Sequence, residues 1–346
     1  MNKSRIEWCD HTWNFITGCR HNCPYCYARK MTDRFSGDVR LNKMAKKDYS
    51  LVPAADGGED LYVLDTPMLN ETGKKLVYPF GFEPTFHRYR LNYPEKLKMG
   101  NNIFVGAMSD IFGGWVPDRW LDDMFSVCLQ YPIHNYLFLT KNPERYAEYG
   151  VPLLQNMWYG TTVTTRSETG RIGCLPAKAR TFVSVEPVLG DMHFDGCQSL
   201  GEVGWIIIGA ETGRNKEKVI PHLEWIGDIV SAADAADVPV FMKDSLLHIV
   251  GEQNMRRDFP RQLKRTEISP KMKKKLFGIC AVCKAHLKKS DMIALLARSR
   301  RGEQPKQFGF MCRECFKESC KGLGLDIPAL AELADSITVE PGEGDG

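Results

Sequence analysis

The sequence predicts an α/β fold, either a barrel or a doubly wound sheet, followed by a small second module. Between residues 103 and 242, short apolar runs alternate with helical segments that are apolar on one side. The chain has 346 residues, 43% of them hydrophobic, which suffices for one domain of about 250 residues and a smaller one. Two pairs of cysteines beyond residue 270 mark the second module.

The predicted elements follow in chain order. A first strand over 12–17 leads into a cysteine-rich loop. The polar segment 34–98 is too long for an ordinary connection, so we interpret it as an insertion, with a lid over the site as one role. Helical spacing of apolar residues predicts helices over 117–130 and 222–236. Buried parallel strands are predicted over 103–108, 136–140, 158–163, 181–185, 205–209 and 238–242.

From the sequence, we expect the chain neither to span a membrane nor to be secreted. No apolar run has the length of a signal peptide or of a bilayer span. The 12 cysteines cluster at metal-ligand spacings, which favours a reducing, cytoplasmic location over a disulfide framework. The net charge of +3 divides unevenly, with about +11 in residues 261–320, about −5 in 321–346 and about −3 in 1–260.

Three cysteines share one short loop near the N-terminus. Cys19, Cys23 and Cys26 follow a C-x3-C-x2-C spacing, with Tyr25 directly before the third cysteine. Three thiolates can bind three irons of a 4Fe-4S cluster and leave the fourth iron without a protein ligand. A structural zinc site, with Cys9 or His21 as the fourth ligand, is the alternative interpretation.

Nearly every predicted strand is followed by a polar or charged residue. Because the carboxyl ends of parallel strands meet at one edge of a sheet, these side chains are expected to lie close together. Ordinary solvated loop starts would also explain any single member of the set. The members are Ser109, Asp110, Lys141, Thr162, Thr164, Glu186, Glu211 and Lys243.

The cysteine loop resembles the signature of the radical S-adenosylmethionine (SAM) superfamily. A closer resemblance, over about residues 5–250, is to the phage-associated "three-Cys-motif" family of radical SAM-like proteins. Many members of that family have more residues between the first two cysteines, whereas this chain has the usual radical SAM gap. The resemblance rests on Ile6-Glu7-Trp8, Thr12-Trp13-Asn14, Gly18-Cys19, Cys26-Tyr27-Ala28, residues 82–87, Met108-Ser109-Asp110, residues 138–141, Glu186-Pro187 and Gly209-Ala210-Glu211.

The resemblance implies a partial (β/α) TIM-like barrel over residues 1–260 that binds a 4Fe-4S cluster and SAM and receives electrons from an external donor. Tyr25 would lie beside the cofactor, Ser109 and Asp110 would receive the amino group of SAM, and Gly209 would let the backbone approach adenine. Thr162 and Thr164 would bind the ribose or the methionine carboxylate. The remaining candidates, for substrate binding or proton transfer, are Glu186, Glu211 and Lys243, although Lys243 and Glu186 could also form a structural ion pair.

The second cysteine set predicts a zinc site. Cys280, Cys283, Cys312 and Cys315 form two C-x2-C pairs, and two such pairs complete a tetrahedral site. Cys320 and His286 are possible substitute ligands, and an auxiliary iron-sulfur cluster is the alternative. The basic residues of this module, 270–322, suit a nucleic-acid backbone, a solvated face or protein docking. The acidic tail, 323–346, is expected to be disordered.

Three functional hypotheses follow from the sequence. The first is a radical SAM enzyme that acts on a large anionic substrate, most simply nucleic acid. The second is a radical SAM enzyme that acts on a peptide, a partner protein or a small metabolite. The third is a non-enzymatic, zinc-dependent nucleic-acid-binding protein.

Overall fold

The computed structural model describes residues 4–97, 100–194, 198–212, 219–263, 277–283, 286–289, 292–297 and 306–322. The chain forms two compact units. The first consists of residues 1–97, 101–125 and 135–264, and the second of residues 98–100, 126–134 and 265–346. The predicted acidic tail, 323–346, lies outside the described residues.

Strands and helices alternate through most of the chain before residue 264. The strands are β1 (His11–Trp13), β2 (Ile16–Thr17), β3 (Ser50–Val52), β4 (Leu61–Leu64), β5 (Thr85–His87), β6 (Asn102–Val105), β7 (Asn135–Thr140), β8 (Met157–Thr162), β9 (Arg180–Val185), β10 (Ile206–Ile208) and β11 (Val240–Met242). The helices are α1 (Tyr27–Phe35), α2 (Val39–Met44), α3 (Asp118–Gln130), α4 (Glu144–Tyr149), α5 (Leu223–Ala235) and α6 (Leu247–Val250).

The main sheet has seven parallel strands in the order β1-β6-β7-β8-β9-β10-β11 and curls into a half-barrel. The predicted α/β class, the six strands over 103–242 and the helices α3 and α5 are therefore confirmed. The predicted single strand over 12–17 is wrong, because the chain leaves the main sheet after β1 and enters a second sheet at β2. Phe15, between the two strands, is fully buried, and its carbonyl accepts a hydrogen bond from the backbone of His87 (2.7 Å).

The two faces of the main sheet are both apolar but differ in what covers them. On one face, alternate residues of β9, β10 and β11 pack against Ile226, Ile229 and Ala233 of α5. The opposite, concave face is filled by large side chains, with Trp8 inserted so that its ring lies 4.7 Å from that of Phe104. Because side chains alternate along a strand, residues 186, 209 and 243 extend this concave face beyond the ends of β9, β10 and β11.

The inserted segment builds a second sheet in the order β2-β5-β4-β3. Strands β4 and β5 are parallel, and the other two pairs are antiparallel. Tyr62 of β4 stacks on Phe80 with ring centroids 3.9 Å apart. Since β5 pairs with β2, which directly precedes the cysteine loop, the insertion supports that loop from its side.

Beyond residue 276, the described residues of the second unit form two pairs of strands and a helix. Strand β12 (Phe277–Ile279) pairs with β13 (His286–Lys288), and β14 (Met292–Ala297) pairs with β15 (Lys306–Cys312). Helix α7 (Arg313–Gly322) follows β15. Among the residues described in both units, no helix is long and apolar enough to cross a bilayer.

Candidate metal and cofactor site

The cysteine loop starts at a backbone position that only glycine fits. Gly18 has φ +86°, and a Cβ there would lie 2.3 Å from the carbonyl oxygen of Glu83. The Gly18 amide donates to the carbonyl of Met108 (3.0 Å), and the Cys19 amide donates to that of Phe82 (3.1 Å). The loop is therefore fixed between the segment that follows β6 and the inserted segment.

Cys26 closes the loop and caps helix α1. Its Sγ accepts a hydrogen bond from the amide of Arg29 (3.4 Å), and its own amide donates to the carbonyl of Cys23 (3.1 Å). The Arg29 guanidinium donates back to the carbonyl of Cys19 (3.0 Å) and lies 4.6 Å from the ring of Phe82.

The three thiols lie close enough to influence one another's ionisation. Burial, the charge of Asp110 and the thiolates of Cys23 and Cys26 raise the pKa of Cys19 to about 12. Burial also raises the pKa of Cys23, although the charge of Lys141 opposes that effect. Half-buried thiols such as Cys19 and Cys23, whose ionised forms are disfavoured, are suited to a bound group that brings positive charge.

A zinc ion at this loop would need a fourth ligand, and both candidates, Cys9 and His21, are hydrogen-bonded to other residues. The Sγ of Cys9 donates to Ser4 Oγ (3.3 Å) within the apolar cluster on the concave face. The Nε2 of His21 donates to Asp110 Oδ2 (2.8 Å). Within the described ranges, the ligand atoms that lie at single-ion spacing are those of the C-terminal cysteines instead. The trio therefore fits a multi-iron cluster better than zinc.

Asp110 holds the cysteine loop through a fully used carboxylate. Its Oδ2 accepts from His21 and from the amide of Lys141 (2.9 Å), while its Oδ1 accepts from Thr140 Oγ1 (2.7 Å) and the amide of Phe112 (3.1 Å). Burial alone would raise the pKa of Asp110, but the hydrogen bond and charge of His21, with the other donors, hold it below its usual value. Asp110 thus positions the loop.

Ser109 differs from Asp110, although the radical SAM resemblance predicts both at the amino group of SAM. The Ser109 Oγ is buried and has no hydrogen-bond partner among the described residues. A buried hydroxyl of this kind is costly unless a ligand or water completes it. The assignment to the SAM amino group stays a prediction, and Ser109 has the unused hydrogen-bonding capacity that it requires.

Lys141 is a site residue that the sequence assigned no role. Its Nζ lies 5.4 Å from the centre of the Tyr25 ring, beside the cysteine loop. Lys141 follows Leu139 by two positions, so it lies on the concave face. The alternation of side chains along β7 could have identified this position. Lys141 points to the face opposite to that of Thr140, whose side chain bonds Asp110.

Thr162, the last residue of β8, and Thr164, which follows the strand, are buried and already bonded to the loop that comes next. The amide and hydroxyl of Thr164 donate to Glu168 Oε2 (2.7 and 2.8 Å). The carbonyl of Thr162 accepts from Arg171 Nη1 (3.0 Å). Their assignment to ribose or methionine carboxylate stays a prediction.

Glu186, Gly209 and Lys243 meet on the concave face. The Nζ of Lys243 forms an ion pair with Glu186 Oε1, and the side chains are 17% and 27% exposed respectively. Both lie over Gly209, where a Cβ would be 3.1 Å from Glu186 Cγ and from Lys243 Cδ. The largely buried Glu211 pairs with Lys30 of α1 (3.4 Å), which links the helix after the cysteine loop to the end of β10.

A family model described as "Protein of unknown function (DUF5131)" matches residues 3–274. The chain belongs to this family. No curated protein matches the chain. The DUF5131 segment includes the cysteine loop, Asp110, Lys141 and the Glu186–Lys243 pair, whereas the C-terminal cysteines lie beyond it.

Beyond the DUF5131 segment, the four predicted ligands Cys280, Cys283, Cys312 and Cys315 come together. Their sulfur atoms all lie within 4.8 Å of one another, and Cys283 Sγ is 3.7 Å from Cys312 Sγ. Tetrahedral zinc with Zn–S bonds of about 2.3 Å requires sulfur separations of about 3.8 Å. The group can therefore hold a single metal ion. The side chains of the alternative ligands Cys320 and His286 lie outside the described part of the chain.

Replacing Gly209 with alanine is expected to destabilise the DUF5131 segment by about 1 kcal/mol or more, because the added methyl group crowds the Glu186–Lys243 pair. Urea unfolding measures the change. Gly190→Ala is the matched control, since a Cβ at residue 190 would meet nothing within 4 Å. Equal stability of the two variants would contradict the crowding.

Proposed function

We propose that this protein is a radical SAM enzyme whose cluster is held by Cys19, Cys23 and Cys26. The observation that supports this most directly is the convergence of three thiols on one rigid loop beside the half-barrel, with the candidate fourth ligands Cys9 and His21 bonded elsewhere. A bound 4Fe-4S cluster would supply the electron that cleaves the sulfonium of SAM to give the 5'-deoxyadenosyl radical.

The protein residues around the loop would bind and orient SAM and the substrate. Ser109 offers a free buried hydroxyl, and Lys141 places a cation beside Tyr25. Asp110 keeps the loop in place through His21. SAM and an external electron donor are the partners that this chemistry needs.

Glu186, Lys243 and Glu211 would contact the substrate or move a proton on the concave face. The Glu186–Lys243 pair is only partly exposed, so its proton exchange would be shielded from bulk water. Glu211 is more deeply buried and is paired with Lys30. Each pair offers the substrate a hydrogen-bond acceptor and a hydrogen-bond donor while adding no net charge to the site.

The proposal is tested by incubating anaerobically reconstituted full-length protein with SAM and dithionite. Chromatography should detect 5'-deoxyadenosine that depends on both dithionite and the reconstituted iron. Iron-loaded protein that binds SAM but releases no 5'-deoxyadenosine under these conditions would contradict the proposal.

We further propose that the four C-terminal cysteines hold structural zinc. Among the described residues of the segment 277–322, the buried apolar cluster consists of three of the ligands themselves, Cys280, Cys312 and Cys315, together with Met292. A cluster of that size contributes little to stability, so the metal would supply much of the stability of this segment.

Chelation is therefore expected to remove one zinc per chain and to raise amide hydrogen exchange across residues 277–322. Metal analysis and exchange measured by mass spectrometry provide the readouts. Zinc should persist in Cys23→Ala and be lost in Cys312→Ser, which separates the two sites. Iron in place of zinc would instead identify an auxiliary cluster, and unchanged exchange after chelation would contradict a structural role.

A further inference from the structure

The insertion carries a basic surface that the charge balance of the sequence conceals. It consists of Arg34, Arg40, Lys43, Lys46 and Lys47, all exposed, and is called the insertion surface below. None of the five forms an ion pair with any residue that the structure describes. No acidic residue lies between Asp38 and Asp48 in the sequence. Together with the flanking Asp33, Asp38 and Asp48, the five cations leave residues 33–48 with a net charge of +2 in a unit of slightly negative net charge, which points to an anionic partner.

Aromatic and apolar side chains are interleaved with these cations. Phe35, Leu41 and Met44 are 40%, 54% and 72% exposed. The Arg34 guanidinium lies 5.7 Å from the Phe35 ring, and the Lys43 ammonium lies 5.7 Å from the Tyr62 ring. Cations combined with accessible rings are typical of surfaces that bind the backbone and bases of single strands.

Two other kinds of partner fit this composition less well. Helix α2 has only six residues, less than two turns, so it can bury too little apolar area to bind a lipid interface. Protein interfaces have cores depleted in charge, whereas Arg40 and Lys43 alternate here with Leu41 and Met44. Residues three apart on a helix are about 5–6 Å apart at their Cβ atoms, so Arg40 and Lys43 form a row of cations suited to successive phosphates.

The insertion surface is connected to the cysteine loop by one helix. Helix α1 begins directly after Cys26 and ends at Phe35, a length of about 13 Å at 1.5 Å per residue. We propose that the insertion surface binds single-stranded nucleic acid and brings it to the cysteine loop. Delivery of a substrate rests on the proposed radical SAM function, whereas binding of the strand does not.

The test is fluorescence anisotropy with a labelled single-stranded 20-nucleotide DNA, its RNA equivalent and a duplex, using the full chain across a salt series. Arg40→Gln/Lys46→Gln/Lys47→Gln should weaken binding of the single strands at least tenfold. Loss of three phosphate contacts should also reduce the slope of log K against log salt by about 2. Lys96→Gln/Arg119→Gln, which removes two exposed cations outside the surface, should change affinity less than twofold.

Three results would overturn the proposal. The first is a salt slope in the triple variant equal to that of the wild type. The second is stronger binding of the duplex than of the single strands. The third is that the wild type binds a poly-glutamate peptide and the triple variant does not, while the triple variant still binds the oligonucleotides. That result would identify an acidic protein as the partner. Oligonucleotide binding as expected, without SAM cleavage, would leave this surface established and the radical SAM function refuted.

Discussion

Replacing Cys23 with alanine is expected to abolish iron binding and SAM cleavage while the fold is retained. Two thiolates cannot hold three irons of a cluster, so the remaining Cys19 and Cys26 should not retain it. Cys23 is only half-buried and accepts none of the backbone hydrogen bonds that form α1, unlike Cys26. The free energy of unfolding should therefore change by less than about 1 kcal/mol.

Iron analysis and detection of 5'-deoxyadenosine measure this effect in anaerobic preparations. Cys174→Ala is the matched control, because Cys174 is also half-buried but lies outside the trio and bonds Glu144 (3.5 Å). The control should keep the iron and the activity of the wild type. Full iron content in Cys23→Ala would show that the trio is not the ligand set.

Replacing Asp110 with asparagine is expected to destabilise the fold by about 3–5 kcal/mol and to impair retention of the cluster. Both oxygens of Asp110 accept two hydrogen bonds, and each accepts one of them from a backbone amide. The amide group of asparagine would have to point its N–H atoms at one of those donors. In either orientation one buried backbone N–H, that of Phe112 or of Lys141, loses its acceptor, and with the N–H group in the place of Oδ2 the link from His21 to the loop is lost as well.

Urea unfolding as a function of pH measures this prediction. Because the folded-state pKa of Asp110 lies below its unfolded value of about 3.9, the carboxylate stabilises the fold above that pH. This contribution is lost as the pH falls through the folded value, so the difference between wild type and variant should shrink below about pH 4. A difference that grows on acidification would contradict the assignment.

Asp191→Asn provides the matched control for Asp110→Asn. Asp191 also pairs with a histidine, His193 (2.7 Å), but this pair lies at the surface. Exposed pairs contribute about 0–1 kcal/mol, so the control should have nearly wild-type stability. A large loss in the control would mean that any aspartate–histidine pair, and not the buried network, determines the result.

The sheet could be predicted from the sequence because its strands have strong local signals. Runs such as 136–140 and 181–185 are short, mostly apolar and without charge, as is typical of buried parallel strands. The break at Asn14 and Phe15 could not be predicted, because Phe15 is as apolar as a strand residue. Its position depends on pairing with the insertion, whose strands lie more than 30 residues further along the chain.

The candidate site could be predicted in its residues but not in its internal contacts. The cysteines and the residues at the strand ends were visible from spacing and position. The sequence could not show that Asp110 has no remaining acceptor capacity, because its four donors come from three separate segments. Nor could it show that Glu186 and Lys243 occupy the space over Gly209, since that contact depends on the register of three strands.

Electron paramagnetic resonance of the dithionite-reduced protein, with and without SAM and alongside metal analysis, tests the central claim most directly. If three cysteines leave one iron open to SAM, we expect about four irons per chain, which corresponds to one cluster. We also expect a signal that changes when SAM is added. Zinc in the N-terminal loop, with no iron and no signal, would contradict the claim and favour a zinc-dependent nucleic-acid-binding protein.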